Sequence, residues 1–277
     1  MSFFRRKNVE PEENPKNLSL VDFDMVDINE DLMARSDIFD DVAGSERDKL
    51  FGKLSEDETW ALLEEAGLIS ALMQRKYKKI KLELKYLSNL DQRIFLTSKG
   101  RLLVHIRLKM SEFRFKLHKG MGAKRLIFID WLLTQDFKRK NFDKSRLFPG
   151  QELPGLGIFS QISEFFRLLA PEVRAIGAFN MPEYFHDALL FHRRFKFYDP
   201  AKEAFFRALI RDLRSHGARA ISKALLEQRI RSADDAPVSW HPGEMLSLLT
   251  DEFADKIWSS SYRRQVEKEM NRLRFTL

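Results

Sequence analysis

Between residues 77 and 118 the apolar side chains recur at every second position, and this period restricts the fold more than any other feature of the chain. In 77–86, Ile80, Leu82 and Leu84 alternate with Lys79, Lys81, Glu83 and Lys85. Segments 93–97 and 101–109 read as the arms of a hairpin turning at Ser98-Lys-Gly100. In the second arm Leu102, Val104, Ile106 and Leu108 share one face, and Arg101, Leu103, His105, Arg107 and Lys109 share the other. Residues 112–118 repeat the device, with Phe113, Phe115 and Leu117 set against Glu112, Arg114, Lys116 and His118. A helix repeats every ~3.6 residues, so alternation dictates antiparallel strands with one buried face and one wet, basic face. Gly120-Met-Gly122 then turns the chain into 125–135, where Leu126-Ile-Phe-Ile129 predicts a more buried strand.

Helices flank this region. Ser55-Glu-Asp-Glu58 is a capping box and predicts a helix over about 55–73. Ile162, Phe165, Phe166 and Leu169 give a helix over about 158–170 one inner face. A short strand at 173–179, a helix at 183–194 and a strand at 195–197, ended by Asp199-Pro200, come next. From 201 onward the pattern predicts helices at about 201–215, 218–231, 242–257 and 259–273. The class is therefore α/β (α+β), a mixed sheet with flanking helices and a helical C-terminal extension. The expected organisation is a flexible acidic leader at 1–50, an α/β core at 51–200 and a helical extension at 201–277.

Charge divides along the same lines. The net charge is +7. Residues 1–50 hold 7 Lys/Arg against 13 Asp/Glu, leaving 41 basic against 28 acidic residues in the remainder. A basic body favours anionic partners such as nucleic acid, phosphorylated cofactors or acidic proteins. The chain has no cysteine, which excludes disulfides, thiolate metal ligands and cysteine nucleophiles and fits a reducing, cytoplasmic setting. Its six histidines show no metal-binding spacing, so no metal is expected. No apolar run reaches the roughly 20 residues of a membrane span.

The segment that carries chemistry runs through Gln151-Glu-Leu-Pro-Gly155-Leu-Gly157, between the strand at 125–135 and the helix at 158–170. Glycines without Cβ let backbone amides approach a phosphate closely, and the helix that follows points its positive end at the same place. This stretch, with the helix, strand and Phe185-His-Asp-Ala188…Phe197 that follow, resembles the GNAT superfamily of acyl-CoA-dependent N-acyltransferases. The superfamily's motif is Gln/Arg-x-x-Gly-x-Gly/Ala, then a helix, a strand and an Asn-x-x-Ala…Tyr…Gly-Phe helix. The likeness covers about 125–200, and Ala188 and Phe197 keep the family's spacing of nine. It implies a GNAT-like fold that binds acetyl-CoA or another acyl-CoA along Gln151, Leu153, Pro154, Gly155, Leu156 and Gly157, and transfers the acyl group to an amine. The family's general-acid tyrosine falls at His192, which would protonate the leaving thiolate, and Asp130 is the candidate general base. Glu152, Phe185 and Lys196 depart from the motif. These departures keep open a non-catalytic module that uses a basic sheet face for an anionic macromolecule, through Lys79, Lys81, Arg107, Lys109, Arg114 and Lys116.

Overall fold

The computed structural model describes residues 49–88, 91–118 and 120–277. The chain divides into units 1–42 and 43–277, and every described residue belongs to the second. The acidic leader, up to Asp48, lies outside the described residues.

The capping box forms as read. The Ser55 hydroxyl accepts from Glu58 N–H (3.2 Å) and the Glu58 carboxylate accepts from Ser55 N–H (2.8 Å), starting α1 at Glu56–Glu65. The single helix expected to residue 73 is broken, because Gly67 takes φ +72°; a second helix, α2, follows at Leu68–Gln74. The alternating region gives β1 (Ile80–Ser88), β2 (Asp91–Ser98) and β3 (Arg101–Arg114), and β4 (Ala123–Thr134) completes an antiparallel meander. The β2–β3 hairpin turns at Lys99 (φ +53°) and Gly100 (φ +74°), a left-handed pair that suits a two-residue turn. Residues 112–114 continue β3 rather than forming a separate strand.

Helix α3 (Phe159–Glu172) crosses over to β5 (Gly177–Asn180), which pairs parallel to β4. Then come α4 (Phe185–Phe191), β6 (Lys196–Phe197), α5 (Pro200–Leu213), α6 (Ala218–Leu226), β7 (Arg231–Ser232), β8 (Met245–Leu248), α7 (Asp251–Ile257), α8 (Ser260–Arg272) and β9 (Phe275–Thr276). The main sheet has seven strands in the order β1-β2-β3-β4-β5-β8-β6, while β7 and β9 form a separate pair. The helix expected at 242–257 is a correction: its first half is β8, inserted between β5 and β6. The C-terminal third therefore contributes a strand to the sheet as well as helices around it.

The sheet buries both faces, in different places. Its inner face (Ile94, Leu96, Val104, Ile106, Leu108, Ile127, Ile129) packs with α3 residues Ile162, Phe165 and Leu169 into the large core. A second core on the opposite face gathers Phe113, Phe115, Leu126, Phe179, Tyr198, Leu246 and Ile257. Strict alternation along β3 puts Phe113 on the same side as Arg107 and Lys109, and Arg114 on the other. A bulge at Leu96/Thr97 also buries Leu103 beside Val104, where simple alternation had placed it on the wet face.

Where β5 meets β8, Gly177 leaves no room for a side chain. A Cβ there would fall on the Ser247 carbonyl oxygen and 3.0 Å from Leu248 Cα, both backbone atoms. We expect Gly177→Ala to destabilise the protein by about 3 kcal/mol, the upper range for overpacking. Gly100→Ala, with nothing within 4 Å, carries only the cost of a left-handed φ, about 1 kcal/mol. Thermal unfolding of the two variants checks the ranking; equal melting temperatures would refute the tight β5–β8 contact.

Candidate active site

Strands β4 and β5 pair at only two positions, Ile127↔Ala178 and Phe128↔Phe179. Past them β4 runs on to Thr134 against β3 alone, and β5 ends at Asn180. The parting has a local cause. Arg107 pairs with Trp131 and Leu108 with Ile129, so Asp130 is an extra, bulged residue, and a bulge bends its strand away. Asn180, 3% exposed, sits where the strands separate, and its Oδ1 has no hydrogen-bond partner.

The chain from β4 to α3 folds back onto this end of β4. Asp136 N–H donates to the Pro154 carbonyl (2.7 Å) and Leu156 N–H to Thr134 Oγ1 (3.3 Å). Gly155 fits because a Cβ would stand 3.3 Å from Thr134 Oγ1; Gly157 takes φ +65°. Arg75, just past α2, clasps the turn from outside. Its Nε donates to the Leu156 carbonyl (2.8 Å), one terminal nitrogen to the Gly157 carbonyl (3.1 Å) and the other to the Ala71 carbonyl (2.9 Å). Helix α3 then starts at Ile158 with no side-chain cap. Among the described residues the N–H groups of Gly157, Ile158, Phe159, Ser160 and Gln161 have no acceptor. Five successive free donors at a helix start, with a guanidinium beside them, make an electropositive patch suited to an anion.

The other residues read from the motif separate. Leu153 and Pro154 are half-buried in the turn and Leu156 is buried. Gln151 faces its own loop, its Oε1 accepting from Phe148 N–H (3.2 Å), and does not reach towards the amides. Glu152 is exposed with no ion pair among the described residues. No local signal marks Arg75 for this role, since its acceptors lie 81 and 82 residues away.

His192 caps the C-terminal end of α4, and its neighbour Phe191 packs edge-on against Phe159 in the first turn of α3 (4.9 Å between centroids). The His192 side chain itself turns to α5. Nε2 lies 2.9 Å from Glu203 Oε1, and the ring leans on Phe206. Glu203 is fully buried, and it also accepts from Arg207 Nε (2.6 Å) and Phe197 N–H (3.2 Å). Burial alone would raise its pKa, but the bond and charge from His192, the charge of Arg207 and the Phe197 amide together hold it below the ordinary value. His192 Nδ1 has no partner among the described residues.

Asp130 lies on the face of the sheet opposite the large core, paired with Arg107 and with Lys109 Nζ (3.3 Å). Its carboxylate is thus committed to two cations on that face. His186, the other histidine of α4, is buried between Phe148 and Tyr184, with Nδ1 2.8 Å from Ser222 Oγ. Two depressions lie away from the glycine turn. One of about 500 Å³ is open and lined by His118, Met121, Lys124 and Phe253; one of about 150 Å³ lies among Tyr184, Ser222, Leu225 and Trp240.

Burial lowers the His186 pKa to about 4. The neutral ring is the form the fold accepts, so the stability it carries is complete above the unfolded pKa of ~6.5 and is lost as pH falls towards 4, by roughly 3 kcal/mol. Adjacent Asp187, raised by burial to about 6, acts in the opposite direction, but its side chain is 37% exposed and solvent screens much of the effect. Denaturant unfolding at pH 7 and pH 4.5 should therefore show His186→Gln losing less stability on acidification than wild type. Parallel losses would mean that His186 is protonated in the fold.

No protein-family model matches this sequence, and no curated protein matches it; the geometry of the parted strands and the glycine turn is what its function has to be argued from.

Proposed function

We propose that this protein is an acyl-CoA-binding N-acyltransferase of the GNAT kind, acting on an amine. The observation that carries the reading is the run of unpaired amides from Gly157 to Gln161, in a turn that folds back on the end of β4 beyond the point where β4 and β5 part. In open α/β sheets, ligands favour the crevice beyond the carboxyl ends of parted parallel strands. A pyrophosphate supplies oxygens enough for several such amides, and Arg75 adds the positive charge that Glu152 fails to provide. The extended arm of the same ligand would run into the gap beside Asn180, whose unpaired Oδ1 suits an amide N–H.

In the reaction the amine nitrogen attacks the thioester carbonyl carbon, the C–S bond breaks, and sulfur leaves as thiolate with the bonding pair. The thiolate takes a proton and the substituted amine loses one. His192 is the proposed donor through Nδ1, with Glu203 fixing the ring at Nε2, the division of labour common to histidine–carboxylate pairs. Water accepts the amine proton, because Asp130 is committed to Arg107 and Lys109.

Isothermal titration with acetyl-CoA and with CoA, wild type beside Gly157→Trp, tests the site. Wild type should bind both ligands, and the variant, which places an indole over the amides, should bind at least about tenfold more weakly, a loss of ~1.4 kcal/mol. A folded wild type that binds neither ligand would reduce the turn to a structural connection.

A further inference from the structure

The meander's outer face is built differently from a solvated surface. Its side chains run in rows across the strands, set by the pairing register. One row is Lys85, Arg93, Arg107 and Trp131, and the next is Glu83, Phe95, His105 and Leu133. Trp131 is 46% exposed, the one aromatic among the exposed large apolar side chains of the described residues. It has no ring, cation or hydrogen-bond partner there. The bulge at Asp130 is what turns Trp131 to this side. One row away Phe95 and His105 stack, with centroids 4.4 Å apart and planes 15° apart, and Lys85 Nζ stands 5.3 Å from the Phe95 centroid. Burial, then the charges of Arg93 and Arg107, lower the His105 pKa, so this ring adds stacking surface rather than charge.

The cations of the face are oriented by carboxylates. Arg93 bonds Asp91 in bidentate fashion (2.9 and 2.6 Å), Arg107 and Lys109 share Asp130, and Lys85 lies 3.2 Å from Glu83. Lys81, Lys85, Arg93, Arg107 and Lys109 against Glu83, Asp91 and Asp130 leave a small positive excess, with donors and acceptors fixed side by side around an open indole. That suits bases more than bare phosphate. Two of the cations expected for such a face are elsewhere, since Arg114 points to the opposite side and Lys116 lies beyond the end of β3.

We propose that this face, centred on Trp131, binds single-stranded nucleic acid, with a base stacked on the indole, neighbouring bases meeting the arginine–aspartate pairs and the Phe95–His105 stack, and Lys81, Lys85 and Lys109 meeting phosphates. Every base has a stacking face, and a sheet with open rings and flanking cations is a common surface for unpaired strands. Duplex bases are already stacked on one another and gain nothing from Trp131. The site is independent of the glycine turn and stands whether or not the protein binds acyl-CoA.

Fluorescence anisotropy of the full chain with labelled single-stranded RNA and DNA of about ten nucleotides tests this, with a duplex and heparin as competitors. Single strands should bind; Trp131→Ala should weaken them by about tenfold or more and Trp131→Phe less. Three lysines at phosphates predict a shallow dependence on salt, a log–log slope of roughly −2. Lys81→Glu with Lys85→Glu should weaken binding at every sequence tested. The proposal is overturned if the folded protein binds no single strand, if Trp131→Ala binds as wild type does, or if heparin and duplex compete as well as a single strand. The last result would identify a site for acidic polymers in general.

Discussion

Two backbone pairings hold the sheet together as one. Ile127↔Ala178 and Phe128↔Phe179, with one more backbone bond from Ile176 N–H to the Arg125 carbonyl (2.9 Å), make the seam between the meander β1–β4 and the group β5-β8-β6. A seam so short is reinforced by side chains on both faces: Ile127 and Ala178 enter the large core, and Phe128 stacks on Phe179 (4.7 Å) beside the second core. Gly177 brings the β8 backbone close enough to serve as the other wall of β5. The seam can be short because the bulge at Asp130 turns β4 aside immediately after it. One extra residue thus parts β4 from β5 near Asn180, frees the end of β4 to receive the glycine turn, and directs Trp131 outward.

Several carboxylates and helix starts in this fold have partners close at hand. Asp91 has Arg93, Asp212 has Arg211, and the buried carboxylate of Glu203 has three donors. Helices α1 and α8 are capped by Ser55 and Ser259, and α5 by Asp199. Helices α2, α4, α6 and α7 lack a side-chain cap as α3 does; what sets α3 apart is the glycine turn before it, with the Arg75 guanidinium alongside.

The strands of the meander were legible because each has one wet face, so period two survived in the sequence. β8 was not, because it is flanked on both sides by strands; Met245-Leu-Ser-Leu-Leu249 is a short apolar run broken only by Ser247 that reads equally well as a helix turn. Bulges defeated alternation at Leu103, and continuity of β3 moved Arg114 to the far face, where a separate strand would have allowed either side. At the site, Gly155 and Gly157 were readable because small residues announce close approach. Arg75 and Glu203 were not, since what matters about each is a partner supplied by tertiary packing. His192 came only from the resemblance, as the place where the family's general-acid tyrosine falls, and its tie to a buried glutamate on the next helix had no sequence signature.

A sheet that does not close has two borders, and here they are defended by different means. At β6 the outward N–H of Phe197 is taken by Glu203, and its carbonyl accepts from the Tyr262 hydroxyl (2.5 Å) and the Trp258 indole (3.3 Å). That border offers no free template to a strand from another molecule. Along β1, at the other border, Lys81 and Lys85 face solvent between leucines. A strand from another molecule could extend the sheet past β6 only by first displacing Glu203, Tyr262 and Trp258 from the Phe197 backbone.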